Sequence, residues 1–278
     1  MSYKTILVHL NDDRRARQLL EFAVELACAF EAHLIGLHVF PAFHLTPPVR
    51  LPIGGEILGG IRAQIHEEAD RIKAIFDEMT AHQPIVPEWR SVTSERREAA
   101  VVALDHARTA DLVVASQTDS EWDLHLILDF PGRLAIESGR PVVVVPNGGR
   151  FADLPKRITV GWNGRREVAR AAFDALPLLK RAEQVELLTV NRRDLRADSL
   201  PDTEIAAALA RHGVKVNISK SDRDEPTVGE EICACARDQN ADMMVMGAYG
   251  HSRFREFAFG GVTRHLLREM PVPVLFSH

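Results

Sequence analysis

The chain repeats one order of motifs twice, and this duplication constrains its fold more than any other feature of the sequence. An apolar run, an Asn-containing polar turn and a helical pattern open both halves, as KTILVHLNDD in the first and RITVGWNGRR in the second. An Ala-Asp pair followed by an apolar run begins at Ala110 and again at Ala241. A Val-rich block follows each of these, as GRPVVVVP from Gly139 and EMPVPVLF from Glu269. Three matching blocks in the same order are typical of a duplicated domain.

The boundary between the halves is predicted in the segment NGGRFADLP, from Asn147 to Pro155, which is rich in Gly and follows an apolar run. We therefore expect one domain over residues 1–147 and a second over residues 155–278. In both, apolar β-branched runs alternate with amphipathic helical patterns. Strands that are apolar along their whole length predict a parallel sheet with helices on both faces, so each half is predicted to be a five-stranded α/β sandwich.

The second half shows this alternation most clearly. Its predicted strands are Ile158–Trp162, Val185–Val190, Val214–Ile218, Met243–Met246 and Val272–Phe276. The first half follows the same pattern except between its second and third strands, where residues 41–60 are too rich in Pro and Gly to predict a helix. This segment fits a lid, a partner-binding arm or a surface excursion without a role. An amphipathic helix with Ile61 and Met79 on its apolar face is predicted after it.

Composition excludes several classes of protein. Lys plus Arg is 34 and Asp plus Glu is 39, and this acidic balance disfavours nucleic acid and anionic membranes as partners. No apolar run approaches the ~20 residues that cross a bilayer, and the N-terminus lacks the pattern of a signal peptide. The cysteines Cys28, Cys233 and Cys235 form no disulfide framework, which favours a cytoplasmic location. Cys233 and Cys235 lie two apart on a predicted helix and point apart, so no metal site is expected there.

A glycine-rich loop follows the fourth strand of the second half. Gly247 ends the strand, Gly250 follows three residues later, and Gly260-Gly261 precedes a helix. Glycines allow positive φ and close approach of the backbone to a ligand, and main-chain N–H groups beside a helix N-terminus can surround a phosphate. Turn formation and helix capping are the structural alternative for the same glycines. Side chains that could add positive charge or a hydroxyl are His251, Arg253, Arg255, Arg264 and Thr263.

The spacing of Gly247, Gly250 and Gly260 resembles the nucleotide motif of the universal stress protein family: Gly, two residues, Gly, nine residues, Gly, then Ser or Thr. The opening strand, the Ala-Asp strand and the Pro-Val strand also resemble this family in both halves, so the chain is similar to a tandem universal stress protein. The resemblance implies two Rossmann-like domains, of the adenine nucleotide alpha hydrolase-like kind, with strand order 3-2-1-4-5. In members that bind ATP, the nucleotide lies between the loops after strands one and four.

Carried over residue by residue, the resemblance implies one site in the second half. Its members are Trp162, Asn163, Gly164, Val190, Met246, Gly247, Gly250, His251, Arg253, Gly260, Gly261, Val262 and Thr263. Gly261 stands where the family has Ser or Thr, and Asn163 where it has Asp. Asparagine lacks the charge that favours a divalent cation, so magnesium beside the nucleotide is left open. Trp162 fits stacking on a base or, as is commoner at a strand end, packing.

The first half departs further from the motif. Ser116 and Asp119 stand opposite the first two loop glycines, and the loop is acidic, with Asp119, Glu121, Asp123 and Asp129. Acidic groups oppose phosphate, so no nucleotide is expected there. The resemblance implies that this half is a pseudo-twofold partner of the second, through pairing of Val142–Val145 with Val272–Phe276. A homodimer of the whole chain is left open.

The leading hypothesis is a universal stress protein that binds ATP or a related adenine nucleotide in its second half, with a regulatory or sensing role in the stress response. No dedicated catalytic turnover is expected, since the chain has no G-x-S-x-G or H-E-x-x-H motif. Two alternatives stay open. One is a structural module that binds a protein partner and no nucleotide, and the other is a slow ATP hydrolase.

Overall fold

The computed structural model of the protein describes residues 2–41, 55–94, 98–119, 130–190, 201–221, 227–248 and 261–278. Over these residues the strands are β1 Thr5–His9, β2 His33–Pro41, β3 Val86–Ser94, β4 Leu112–Ser116, β5 Val142–Val145, β6 Arg157–Gly161, β7 Gln184–Val190, β8 Val216–Ser221, β9 Met243–Gly247 and β10 Val274–Ser277. The helices are α1 Asp13–Phe30, α2 Gly55–Thr80, α3 Ala99–Ala107, α4 Pro131–Glu137, α5 Arg166–Asp174, α6 Leu176–Leu179, α7 Asp202–Arg211, α8 Val228–Asp238 and α9 Gly261–Arg268.

The strands form one sheet in the order β3-β2-β1-β4-β5-β10-β9-β6-β7-β8. Each half is parallel and has the order 3-2-1-4-5 in its own strands, so the predicted α/β class and strand order are confirmed. At the centre β5 and β10 run antiparallel, with Val144 opposite Val274 and Val142 opposite Phe276. Because of this antiparallel pair, the carboxyl ends of the strands in one half lie at the same edge as the amino ends in the other.

Two apolar layers cover the sheet, one on each face. Ile6 and Val8 of β1 point into the layer beneath α1, α2, α5, α6 and α7, here named the α1 face. Leu7, between them in sequence, points into the layer beneath α3, α4, α8 and α9, here named the α3 face. Each layer contains buried residues from both halves. The strands therefore have the burial on both sides that their apolar sequences predict.

Side chains also join the two halves outside the sheet. The Tyr3 hydroxyl donates to the Asp174 carbonyl oxygen at 2.7 Å, and the Tyr3 ring meets the edge of Phe30 with ring centroids 5.1 Å apart. Arg181 lies over the Phe30 ring at 4.8 Å and donates to the Ala29 carbonyl oxygen at 2.6 Å. The C-terminal end of α5 and the loop after α6 therefore contact the first half directly.

Several element boundaries differ from the predictions. The last strand begins at Val274, two residues later than expected, because Pro273 has no N–H to give to a ladder. The prediction that residues 41–60 form no helix is wrong for residues 55–60, which begin α2. Glu56, Ile57 and Leu58 lie beyond the last proline of that segment and support a helix; residues 42–54 lie outside the described residues. No described helix has the length and apolar character needed to span a membrane.

Candidate functional site

The site expected from the sequence lies where the second half reverses its winding. β6 pairs with β7 on one side and with β9 on the other, so the order in which strands are added to the sheet reverses at β6. Loops diverge at such a point and leave a crevice outside the carboxyl ends of the strands, which is where open α/β sheets bind ligands. Gly161, Val190 and Gly247 end the three strands around it.

The loop from β6 to α5 lies at this edge of the sheet. The Trp162 N–H donates to the Leu188 carbonyl oxygen at 2.7 Å, which extends the strand pairing by one residue. The Asn163 side-chain oxygen accepts from the Arg165 N–H at 3.1 Å and closes a short polar turn. Gly164 has φ +71°, a conformation that favours glycine. Asn163 and Gly164 therefore shape the turn that starts α5.

Trp162 and Met246 lie on opposite faces of the sheet. The Trp162 side chain packs against the apolar layer of the α1 face. Met246 and Val190 pack on the α3 face, where the Met246 sulfur would be 2.5 Å from a Cβ added to Gly161. Val190 and Met246 thus lie on the same face of the sheet, and Trp162 lies on the other. Of the two roles considered for Trp162, stacking on a base and packing at a strand end, this contact is the second.

Helix packing explains why residue 247 is a glycine, and the sequence did not reveal this. A Cβ added there would lie 2.5 Å from the Val168 nitrogen and 2.7 Å from the Glu167 carbonyl carbon. These are backbone atoms in the first turn of α5, which crosses the end of β9. The missing side chain at Gly247 therefore lets α5 lie directly on the strand, and the glycine is needed for the fold whether or not a ligand binds nearby.

The last helix begins at the glycine pair. Gly261 is the first residue of α9, it is exposed, and an added Cβ would meet nothing within 4 Å. Val262 packs partly against the α3-face layer, and Thr263 is 4% exposed. The first N–H groups of a helix have no partner within it, and such groups can bind an anion. The expected site residues Gly250, His251, Arg253 and Gly260 lie outside the described residues.

Comparison with known protein families also divides the chain into two halves. The profile described as the universal stress protein family matches residues 2–146 and again residues 156–278. The chain belongs to the universal stress protein family. Because the match occurs twice, it is a tandem member with two α/β domains of the family's Rossmann-like kind.

Among solved structures, a universal stress protein from Archaeoglobus fulgidus DSM 4304 has a TM-score of 0.68 at 16% identity, covering 98% of this chain and 95% of that one. A functionally unknown protein from Pseudomonas aeruginosa PAO1 has a TM-score of 0.52 at 12% identity, covering 99% and 92%. A universal stress protein in complex with cAMP covers 53% of this chain and 100% of its own, with a TM-score of 0.32 at 23% identity. The likeness to the first two of these structures shows the fold alone. No curated protein matches the chain.

In the first domain of this universal stress protein, ion pairs join the segments that follow β1 and β4. Asp119 follows β4, and its carboxylate lies 3.5 Å from the Arg14 guanidinium and 3.4 Å from that of Arg15, both in the first turn of α1. Asp12 holds Arg14 at 2.7 Å, and Arg15 also donates to the Asn147 carbonyl oxygen at 2.7 Å. The loops after β1, β4 and β5 are therefore connected by the domain's own side chains.

The sequence analysis did not identify a buried carboxylate that lies close to the end of β9. Glu167, in the first turn of α5, is 7% exposed and accepts from the Arg166 guanidinium at 2.5 Å. Burial raises its pKa, but the bond from Arg166 and smaller contributions outweigh this and hold the pKa below its ordinary value. When the two halves are aligned on Asn11 and Asn163, Glu167 stands opposite Arg15. This change from a positive to a negative side chain is the sequence feature that could have drawn attention to Glu167.

Among the described residues, Asp12, Asp13 and Glu68 form one acidic group whose oxygens lie within 4.8 Å of one another. Arg14 already holds Asp12, and Arg71 holds Asp13 at 2.6 Å. Because both aspartates are neutralised by arginines, we assign no metal to this group. None of the cysteines Cys28, Cys233 and Cys235, all within the described residues, forms a disulfide bond.

Proposed function

We propose that this universal stress protein binds ATP or a related adenine nucleotide in its second domain and serves a regulatory or sensing role in the stress response. Membership of the family supports the ligand class. The observation that carries the proposal is the start of α9 at an exposed Gly261, because the first N–H groups of a helix have no partner within the helix and can bind an anion. In the first domain, Arg14 and Arg15 in the first turn of α1 pair with Asp119 of the loop after β4.

Each part of a nucleotide has a candidate neighbour in this site. Val190 and Met246 offer an apolar surface on the α3 face for the base. Asn163 lies at the turn between the base and phosphate ends and retains an amide nitrogen for a hydroxyl. The α9 N-terminus, from Gly261 to Thr263, provides N–H groups and a positive helix-dipole end for phosphate. Gly250, His251, Arg253 and Gly260 complete the site in this proposal.

Magnesium would enter with the phosphates of the nucleotide. The Asn163 oxygen accepts from Arg165, and the nearby Glu167 carboxylate is held by Arg166. Both oxygen-bearing groups therefore already have a partner within the protein, and we assign neither of them as a ligand of the magnesium ion.

We further propose that the first domain, over residues 1–147, is the structural partner of the second, over residues 155–278. The antiparallel pair β5–β10 and the Tyr3–Asp174 contact support an arrangement in which one chain holds both members of a pseudo-twofold pair. Sedimentation equilibrium would show whether the chain also forms a homodimer.

Isothermal titration with ATP and with AMP tests the nucleotide proposal. We expect saturable heat for the wild type and for Gly261→Ala, since the added methyl meets nothing within 4 Å. In Gly261→Asp the new carboxylate would face the phosphate, although an acidic first turn favours the helix itself. We therefore expect at least about a tenfold loss of ATP affinity, or about 1.4 kcal/mol. Absence of heat and of thermal protection at millimolar nucleotide in the wild type would reject the proposal.

A second candidate function is a partner-binding module that uses no nucleotide. The position of Gly247 favours it, because packing of α5 fully accounts for that glycine. Full stress protection by Gly261→Asp in cells, with no nucleotide bound by the wild type, would support this alternative.

A further inference from the structure

We propose that Arg140 of the first domain adds positive charge to the nucleotide site of the second domain, so that the site is shared across the two repeats. This inference rests on the proposed nucleotide function and extends it to a residue outside the second domain. Four features of Arg140 support it: its register, the face on which its side chain lies, the lack of an ion pair with any described carboxylate, and the residue at the equivalent position.

The sheet places Arg140 at the edge where the glycine loop begins. Phe276 pairs with Val142 in antiparallel register, and continuing that register by two residues sets His278 opposite Arg140. On the other side of β10, the Ala248 N–H donates to the Ser277 carbonyl oxygen at 2.8 Å. A hydrogen bond of 2.9 Å joins His278 Nδ1 to the Ala248 carbonyl oxygen. Arg140 is therefore one strand away from residues that hold the first residue of the loop after β9.

The side chain of Arg140 lies on the α3 face. Its Nε and Nη2 donate to the Arg108 carbonyl oxygen at 3.1 and 2.9 Å. Arg108 directly follows α3, whose buried residues belong to the same apolar layer as Leu266 of α9 and Met246 of β9. The guanidinium is thus on the side of the sheet that carries the start of α9, where the phosphates are proposed to bind.

The charge of Arg140 is not neutralised by the described carboxylates around it. Arg108 pairs with Asp105 at 2.6 Å, and Glu137 pairs with Arg133 at 2.9 Å. Arg140 gives two of its N–H groups to a neutral carbonyl oxygen and keeps others available. An arginine bound only to a carbonyl keeps its full positive charge, and a polyphosphate is a suitable partner for it.

The equivalent position in the second domain has no charge. Val142 pairs with Val113 and Val274 pairs with Met244 at corresponding places in the two domains. This correspondence makes Val272 the equivalent of Arg140, and each of the two precedes a proline. Arg140 is therefore at the edge of the sheet where β9 ends, while Val272 is at the opposite edge, where β4 ends. The charge occurs only where a phosphate is proposed.

Titration of full-length Arg140→Gln with adenosine, AMP, ADP and ATP tests the inference. Arg150→Gln is the matched control, because it makes the same change of net charge at a residue that is 80% exposed and pairs with Glu21. Arg140→Lys keeps the charge, and it shows whether any effect comes from charge or from loss of the side chain.

We expect Arg140→Gln to weaken ATP binding about fivefold at low salt, with smaller losses for ADP and AMP and none for adenosine. The loss should shrink in 0.5 M salt, and Arg140→Lys should retain most of the wild-type affinity. ATP affinity equal to that of Arg150→Gln would overturn the inference, and so would equal losses for adenosine and ATP. Failure of the wild type to bind any of the four ligands would instead reject the proposed function itself, and this inference with it.

Discussion

Substitution of Gly247 by alanine is expected to destabilise the second domain even without nucleotide. The new Cβ would lie 2.5 Å from the Val168 nitrogen and 2.7 Å from the Glu167 carbonyl carbon, whereas nonbonded carbon contacts are ordinarily about 3.5–4.0 Å. Both neighbours are backbone atoms in a helical turn, so no side-chain rotation can relieve the overlap. The first turn of α5 would have to move by about 1 Å, and overpacking of this kind costs about 1–3 kcal/mol.

Two other glycines serve as matched controls for this prediction. At Gly161 the added Cβ would be equally close to a neighbour, but that neighbour is the Met246 sulfur, at the far end of a flexible side chain. At Gly261 the added Cβ meets nothing within 4 Å. We therefore expect a cost below about 1.5 kcal/mol for Gly161→Ala, and almost none for Gly261→Ala.

Urea unfolding of the three alanine variants, without nucleotide, measures these differences directly. The expected order of destabilisation is Gly247→Ala first, Gly161→Ala second and Gly261→Ala last. In thermal unfolding, the Gly247→Ala loss should lower Tm by several degrees, at about 2–4 °C per kcal/mol. If Gly247→Ala unfolds at the same urea concentration as Gly261→Ala, α5 does not pack on the end of β9 as described, and the reasoning fails.

Three further predictions concern the contact between the domains and the first-domain crevice. Tyr3→Phe removes the hydroxyl bond to the Asp174 carbonyl and should cost about 1 kcal/mol in urea unfolding; an unchanged midpoint would contradict this. Burial lowers the pKa of His9 to about 3, so the unfolded chain binds its proton more readily and stability should fall as pH drops below about 6.5. His9→Leu should flatten this fall between pH 6.5 and 4.5, and an equally steep fall in the variant would refute the assignment. Asp119→Asn weakens the ion pair with Arg15 and should cost less than about 1 kcal/mol, with an effect that vanishes at high salt; a loss independent of salt would argue against the ion pair.

The sequence predicted the fold well because its signals are local and occur twice. Continuous apolar runs predicted strands with both faces buried, and the repeated Ala-Asp block located β4 and β9 in corresponding places. Boundaries were less accurate where proline changes the hydrogen bonding. The last strand, predicted from Val272, begins at Val274 in the structure, since Pro273 has no N–H to donate.

The site was harder to predict, because its decisive contacts are not local. A glycine at a strand end allows both the approach of a ligand and the approach of a helix, and only the path of α5 shows that Gly247 serves the second. Glu167 has the sequence pattern of an ordinary acidic first turn, yet the same path buries its side chain. The contacts of Asp119 with Arg14 and Arg15 likewise join segments about a hundred residues apart, which no local pattern encodes.

A crystal structure of the full chain grown with ATP tests the central claim most directly. The account predicts nucleotide density in the second domain only, with phosphate oxygens at the N-terminus of α9 beside Gly261 and the base on the side of Val190 and Met246. The first domain should keep its Arg15–Asp119 contact. Density for the nucleotide in the first domain, or a second-domain crevice filled by the protein's own side chains at saturating ATP, would contradict the account.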